Sequence, residues 1–323
     1  MSMDKERKGR YLAVDIGGTA VKIGMVDWEG NFLHTSEYPV DFDGYETPIL
    51  DTVIKSCGIF LEEYDEDDVP LLAIGVSATG SINTVKGTVD GSAGHVKNWK
   101  GSRIKEEMEA RFPVPVYVLN DANAAALGEV WLGAAKGKHN VVAVTIGTGV
   151  GGGIIVNSQL LLGANGFAGE VGHITIRYGG RECPCGNTGC LEEYASMTAL
   201  VRQVRQEIEA GRLQGIPAGE VNGRRIFEEI RKGNKALEQI ADQWMDVIAA
   251  GITGFVHIFN PETVIIGGGV SSQQELFIDK VREKTFARMH PEFAIGLEIV
   301  AAKLANNAGM AGAVYYCKQR LGQ

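Results

Sequence analysis

No run of apolar residues in this chain of 323 approaches the roughly 18 that a membrane-spanning helix requires. Its opening, MSMDKERKGR, is polar and lacks the apolar core of a secretory signal. Positive charge is in deficit: 31 lysines and arginines face 40 aspartates and glutamates, a formal net charge of −9. Such a chain is poorly matched to the phosphate backbone of nucleic acids or to anionic lipid. These absences argue against a membrane partner and a nucleic-acid partner, and make the cytoplasm the expected location. Cysteine is scarce, five in all. No Cys-x-x-Cys pair occurs, which weakens a thioredoxin-like redox reading. No GxxxxGK[ST] occurs, so there is no Walker-type phosphate loop. The densest charge run, residues 62–68, lacks the glycine turn and ligand spacing of a calcium loop and reads as a solvated helix end and loop.

What the chain does have is glycine at strand ends. A length of 323 residues exceeds what one core usually fills, so two domains are expected. The opening YLAVDIGGTAVKIGMVD reads as strand, tight turn, strand. NFLHTSEYPV, PLLAIGVSAT and VPVYVLN read as further strands. Helical spacing covers 47–61, GSRIKEEMEARF up to Pro113, and ANAAALGEVWLGAA. NVVAVTIGTGVGGGIIVN then repeats the opening: Ala13, Val14, Ile16 and Gly17 fall over Ala143, Val144, Ile146 and Gly147, each 130 positions on. Helices follow over 197–210, 223–232 and 235–258, then the strand PETVIIGGGV and a final strand, loop and helix. An α/β duplication with two related domains is the expected architecture.

Glycines at a strand turn let a ligand approach the main chain, and successive N–H groups there cradle anions. DIGGT adds a carboxylate, Asp15, that can hold Mg²⁺ through water, and a hydroxyl, Thr19, that can donate to a phosphate oxygen. TIGTGVGGG offers a second cradle, followed by a strand rather than the helix of a dinucleotide fold. Asn120 and Asp121 sit at a strand end, where Asp121 can either accept a proton from an attacking hydroxyl or cap the next helix. Glu129 lies inside that helix and reads as structural. Glu170 and His173 lie three apart among glycines, a pairing suited to a polyol. Cys183, Cys185 and Cys190 follow with Cys-x-Cys-x₄-Cys spacing. With His173 they make four nitrogen and sulfur ligands, the complement of a closed, structural zinc site. Cys57 and Cys317 stand apart and are expected to be buried as small hydrophobes.

In combination and in order, DIGGT, ND-x-N-x-A-x-x-GE, GTGVGGG, AGEVGH and CPCGNTGCLE resemble the ROK family (repressor, open reading frame, kinase) of sugar kinases and related repressors. The resemblance spans nearly the whole chain. It implies an actin-like, Hsp70-like two-domain fold with ATP in the interdomain cleft. The implied division is 1–120 with the C-terminal helix, about 305–323, in one domain and 121–304 in the other. It implies Asp121 as the general base on a sugar hydroxyl, commonly the 6-hydroxyl of a hexose. Asn120, Glu170, His173 and Glu192 match sugar-binding positions. Asp15, Gly17, Gly18 and Thr19 match the first phosphate motif, Thr148 and Gly149 the second, and Gly267, Gly268 and Gly269 the nucleoside side. His173 would bind zinc through one ring nitrogen and sugar through the other. A homodimer is also implied.

One segment departs from the pattern. SATG carries Gly80 where members have Pro-Gly, with Thr79 in place of the proline. This segment is implied to lie near the sugar. GHVKNWKG resembles the Asn-x-x-Trp region of glucokinase members and brings in Asn98. Glucose is the expected substrate, with N-acetylmannosamine, other hexosamines and β-glucosides as alternatives. Three rivals of other classes are a sugar-sensing repressor, a sugar-binding protein without kinase activity and an Hsp70-like chaperone. With ten residues before the first expected strand there is no room for a DNA reader. The paired phosphate motifs with Asp121 argue against a pure binder, and a chaperone would not need the sugar constellation.

Overall fold

The computed structural model describes residues 9–41, 43–64, 69–91 and 97–323, so most of the acidic run, residues 65–68, lies outside the described residues. The first half of the chain runs β1 (Arg10–Ile16), β2 (Ala20–Asp27), β3 (Phe32–Pro39), α1 (Ile49–Tyr64), β4 (Leu71–Ala78), a small hairpin of β5 (Ser81–Asn83) and β6 (Thr88–Gly91), α2 (Ile104–Arg111), β7 (Val116–Asn120) and α3 (Asp121–Trp131). The rest runs β8 (Val141–Ile146), β9 (Val150–Val156), β10 (Gln159–Leu160), α4 (Glu192–Ala195), α5 (Met197–Glu209), α6 (Gly223–Arg231), α7 (Lys235–Phe259), β11 (Thr263–Gly267), α8 (Asp279–Phe286), β12 (Glu298–Ala301) and α9 (Ala308–Arg320). Among the described residues, no helix is long and apolar enough to cross a membrane.

Two five-stranded sheets carry the fold, in the orders β3-β2-β1-β4-β7 and β10-β9-β8-β11-β12. Their topologies correspond. In each, an antiparallel hairpin (β1 with β2, β8 with β9) opens the motif, and two further strands join in parallel (β4 and β7, β11 and β12). The repeat read from thirteen to sixteen and 143 to 146 is therefore a repeat of structure. The hairpins differ in one respect. The last ladder pair before the first turn is Ile16 with Val21, and before the second Ile146 with Val150, so the second turn is one residue shorter.

The chain divides into two compact units: Met1–Gly137 with Leu160–Ala168 and Asn306–Gln323, and Lys138–Gln159 with Gly169–Ala305. The division falls at Gly137 rather than at Asn120–Asp121, so α3 belongs to the first unit. The reason is its packing on α9. A Cβ on Gly128 would overlap the carbonyl of Ala308, and one on Gly312 would overlap that of Ala124. Only glycine lets the two backbones run this close.

In the first unit, pleating sends alternate residues of β1 to opposite faces. Leu12, Val14 and Ile16 join Val53, Phe60, Ile74 and Val76 in one core with α1. Tyr11 and Ala13 join Ala73, Met310, Val314 and Cys317 in another with α9. Asp15 occupies the next position on the α9 face. In the second unit, Val142, Val144 and Ile146 pack with Leu200, Trp244, Ile248 and Phe277. Asparagine and serine start α5, α6 and α7: Ser196 accepts from Ala199 N, Asn222 from Arg225 N and Asn234 from Leu237 N. Cys57 and Cys317 are free and buried.

Candidate functional site

Within the first unit, Asp15 ends its strand beside Ser77, its ladder partner on β4. Ser77 Oγ donates to Asp15 Oδ1 at 2.6 Å. Burial raises the Asp15 carboxyl above the usual carboxylate range, against the Ser77 hydrogen bond and the Lys22 charge, which pull it down. Gly309 in the first turn of α9 closes over the pair: a Cβ there would lie 2.8 Å from both Asp15 Oδ1 and Ser77 Oγ. The carboxylate is thus oriented from two sides, and as an anionic oxygen donor it fits a hydrated Mg²⁺. Gly17 N donates to Ala20 O across the turn, and Thr19 is exposed at its tip.

At the end of β7, Asn120 caps α3. Its Oδ1 accepts from Ala122 N at 3.0 Å and Asn123 N at 3.3 Å, and its Nδ2 donates to Gly80 O at 3.0 Å. Capping therefore falls to Asn120, and Asp121 stands exposed as the first helical residue, accepting from Ala122 N at 2.8 Å. Gly80 has φ +100°, which accounts for glycine at this position. Thr79 N donates to Ile16 O at 3.0 Å, a bond a proline could not make, and Thr79 O accepts from the indole of buried Trp99. Asn98, exposed, donates from Nδ2 to Tyr45 O at 2.8 Å. Glu129 is buried and accepts from Ala134 N, the structural role expected of it.

In the second unit, Val171–His173 form a single helical turn that lies directly on β9, where a Cβ on Gly172 would overlap Val150 O. His173 Nε2 faces Glu170 Oε2 at 3.9 Å, while Nδ1 faces Cys183 Sγ at 3.6 Å. Cys185 Sγ and Cys190 Sγ are 3.7 Å apart, and all four donor atoms lie within 4.8 Å of one another. A tetrahedron with zinc–sulfur bonds of about 2.3 Å and a zinc–nitrogen bond of about 2.0–2.1 Å has sulfur–sulfur edges of about 3.8 Å and sulfur–nitrogen edges of about 3.6 Å. The donor set fits zinc in both chemistry and spacing. Gly186 and Gly189, with φ +92° and +77°, make the knuckle. Burial pushes the Cys190 thiol up to about 12, so zinc binding there must displace a proton.

Glu192 follows the last cysteine by two residues. Its Oε2 accepts from Val150 N at 2.8 Å, and a Cβ on Gly149 would overlap that oxygen. The carboxylate expected to face sugar thus also holds the second glycine turn. Met197 N donates to Gly147 O and Thr198 Oγ1 to Thr148 O, which tie the same turn to the start of α5. Behind the turn opens a cavity of about 650 Å³. Thr148, Gly269 and Ser272 line one part, Met197, Val201, Val221 and Phe227 an apolar part, and Arg205, Arg224 and Arg231 its rim. Of the third glycine run, Gly269 reaches the cavity, Gly268 (φ +90°) shapes the turn and Gly267 is a buried strand end paired with Thr145. Sequence reading missed the apolar lining, since Met197, Val201 and Phe227 look like an ordinary core face of two helices.

A family model for the ROK family matches residues 11–320. The glucokinase of Thermotoga maritima is 35% identical over 98% of this chain and 99% of that protein. A solved structure of a ROK family glucokinase from Streptomyces griseus, in complex with glucose and AMPPNP, is 33% identical with a TM-score of 0.78, covering 96% of this chain and 100% of that one. A proposed N-acetylmannosamine kinase from Listeria monocytogenes is 29% identical with a TM-score of 0.79, covering 97% and 99%.

Proposed function

The chain belongs to the ROK family, and from that premise we propose that it is an ATP-dependent sugar kinase acting on the 6-hydroxyl of glucose. The observation that carries the reading is the second glycine turn, residues 147–149, set in the wall of a cavity whose apolar part suits a nucleoside and whose Thr148 and Gly269 suit its phosphates. The first turn, residues 17–19 with Asp15, is the matching cradle of the first unit. Mg²⁺ bound near Asp15 would neutralise charge on the phosphates.

Asp121 is exposed at the start of α3, where Asn120 rather than Asp121 is the N-cap. In this reading its carboxylate takes the proton of the sugar hydroxyl as that oxygen attacks the γ-phosphorus and ADP leaves. Asn98, Asn120, Gly80, Glu170, His173 and Glu192 orient the sugar. Zinc on His173 Nδ1 would fix the tautomer, leaving a proton on Nε2 to donate to a sugar hydroxyl. The metal is structural, and its four free-thiol and imidazole donors fit a cytoplasmic location.

A coupled ADP-release assay over a panel of hexoses and amino-hexoses tests the reading. Glucose should give the highest kcat/KM. Asp121→Asn should lose about two to four orders of magnitude in kcat while glucose still binds. Near wild-type turnover in that variant would remove Asp121 as the base. A second reading, an N-acetylhexosamine as substrate, is supported by the likeness to the proposed N-acetylmannosamine kinase from Listeria monocytogenes. Preference for N-acetylmannosamine in the same panel selects it.

A further inference from the structure

Tyr45 and Asn98 both have left-handed backbones, with φ +65° and +53°. Asparagine tolerates that region, but a bulky tyrosine there is strained and persists only where its surroundings hold it. Two hydrogen bonds do so. Tyr45 Oη donates to Gly18 O at 2.6 Å, and Tyr45 O accepts from Asn98 Nδ2 at 2.8 Å. The ring packs on the core formed by β1, β4 and α1. One residue therefore joins the carbonyl of the first glycine turn to the side chain of Asn98, with a rigid ring as the lever. A second bond, Val40 N to Thr19 O, holds the far side of the same turn.

We propose that Tyr45 is a positioning residue that couples sugar binding at Asn98 to the shape of the turn at residues 17–19. The proposal rests on the reading above, in which Asn98 contacts sugar and the turn contacts phosphate. A sugar that fixes Asn98 fixes the Tyr45 carbonyl, and the ring transmits this to Gly18. Sugar then tightens nucleotide, and nucleotide tightens sugar by the same factor.

Tyr45→Phe removes the hydroxyl that bonds Gly18 and leaves the carbonyl that bonds Asn98. Affinity for AMPPNP with Mg²⁺ is measured by calorimetry, with and without the hexose preferred in the turnover panel. In the wild type, sugar should tighten AMPPNP by about 5- to 100-fold. In Tyr45→Phe that factor should fall below about twofold, while sugar affinity measured alone stays within about twofold. A merely structural role would lower both affinities and leave their ratio intact. Amide exchange at residues 17–20 in the free protein should also quicken in the variant. Retention of the wild-type coupling factor in Tyr45→Phe overturns the proposal, as does a wild type without coupling. Absence of any sugar phosphorylation by the wild type overturns the earlier reading instead, and the turnover panel reveals it before the variant is made.

Discussion

Asp15 shows how much one residue's chemistry depends on neighbours that sequence motifs do not contain. DIGGT announces the carboxylate, but the hydroxyl that orients it arrives from β4 by ladder register, and the glycine above it from α9. A hydrogen bond to a charged group contributes about 1.5–3 kcal/mol. Ser77→Ala should therefore raise the Mg²⁺ concentration needed for half-maximal rate by roughly tenfold. The sign with pH follows from the same bond. Ser77 lowers the Asp15 pKa against the upward push of burial, so its loss lifts the pKa further. The acid limb of the kcat/KM profile should move to higher pH; an unmoved limb with unchanged Mg²⁺ dependence would detach Asp15 from the metal. Asp121 was legible only in part. Its neighbour Asn120 is an equally good cap by type, and which of the two turns into the helix is settled by the extended backbone of Asn120, φ −63° and ψ 147°.

At the scale of elements, the strands and long helices were legible because their apolar periods are clean. α8 and the shortest elements were not. Before α8, a turn of π-helix at Gln274–Ile278 departs from α-helical hydrogen bonding, although Phe277, Ile278, Val281 and Thr285 are all buried. The β5–β6 hairpin is too short to show a period. The contact of α3 with α9 was equally hidden, since glycines inside helices read as weakness until their neighbours are known. Gly312→Ala should lower stability by about 1–3 kcal/mol, because the methyl group must displace the α3 backbone at Ala124. Denaturant unfolding should show a lower midpoint for the first unit with an unchanged slope; a neutral substitution would mean the helices can part without cost.

For the whole molecule, the two sheets repeat one topology, and each presents a glycine turn at the end of its central strand. That much was readable from residues 11–27 and 140–157. The division into units was not, because it depends on which helix packs with which. The four candidate zinc ligands all belong to the second unit. Metal analysis should find about one zinc per chain. Its removal by a chelator should speed amide exchange over 173–196 and, through Glu192 and Val150, at the 147–150 turn, leaving the 10–27 hairpin unaffected. A 147–150 turn indifferent to chelation would break the link between the metal and the phosphate cradle.

The placement of α9 has a consequence for biosynthesis. Residues 308–320 complete the core that Tyr11, Ala13 and Ala73 begin, yet they are translated after every strand of the other sheet. At roughly 5–20 residues per second, one face of the first sheet waits many seconds for its cover. The unit that is encoded second is thereby free to fold first, while the apolar face beside Asp15 still lacks its covering helix.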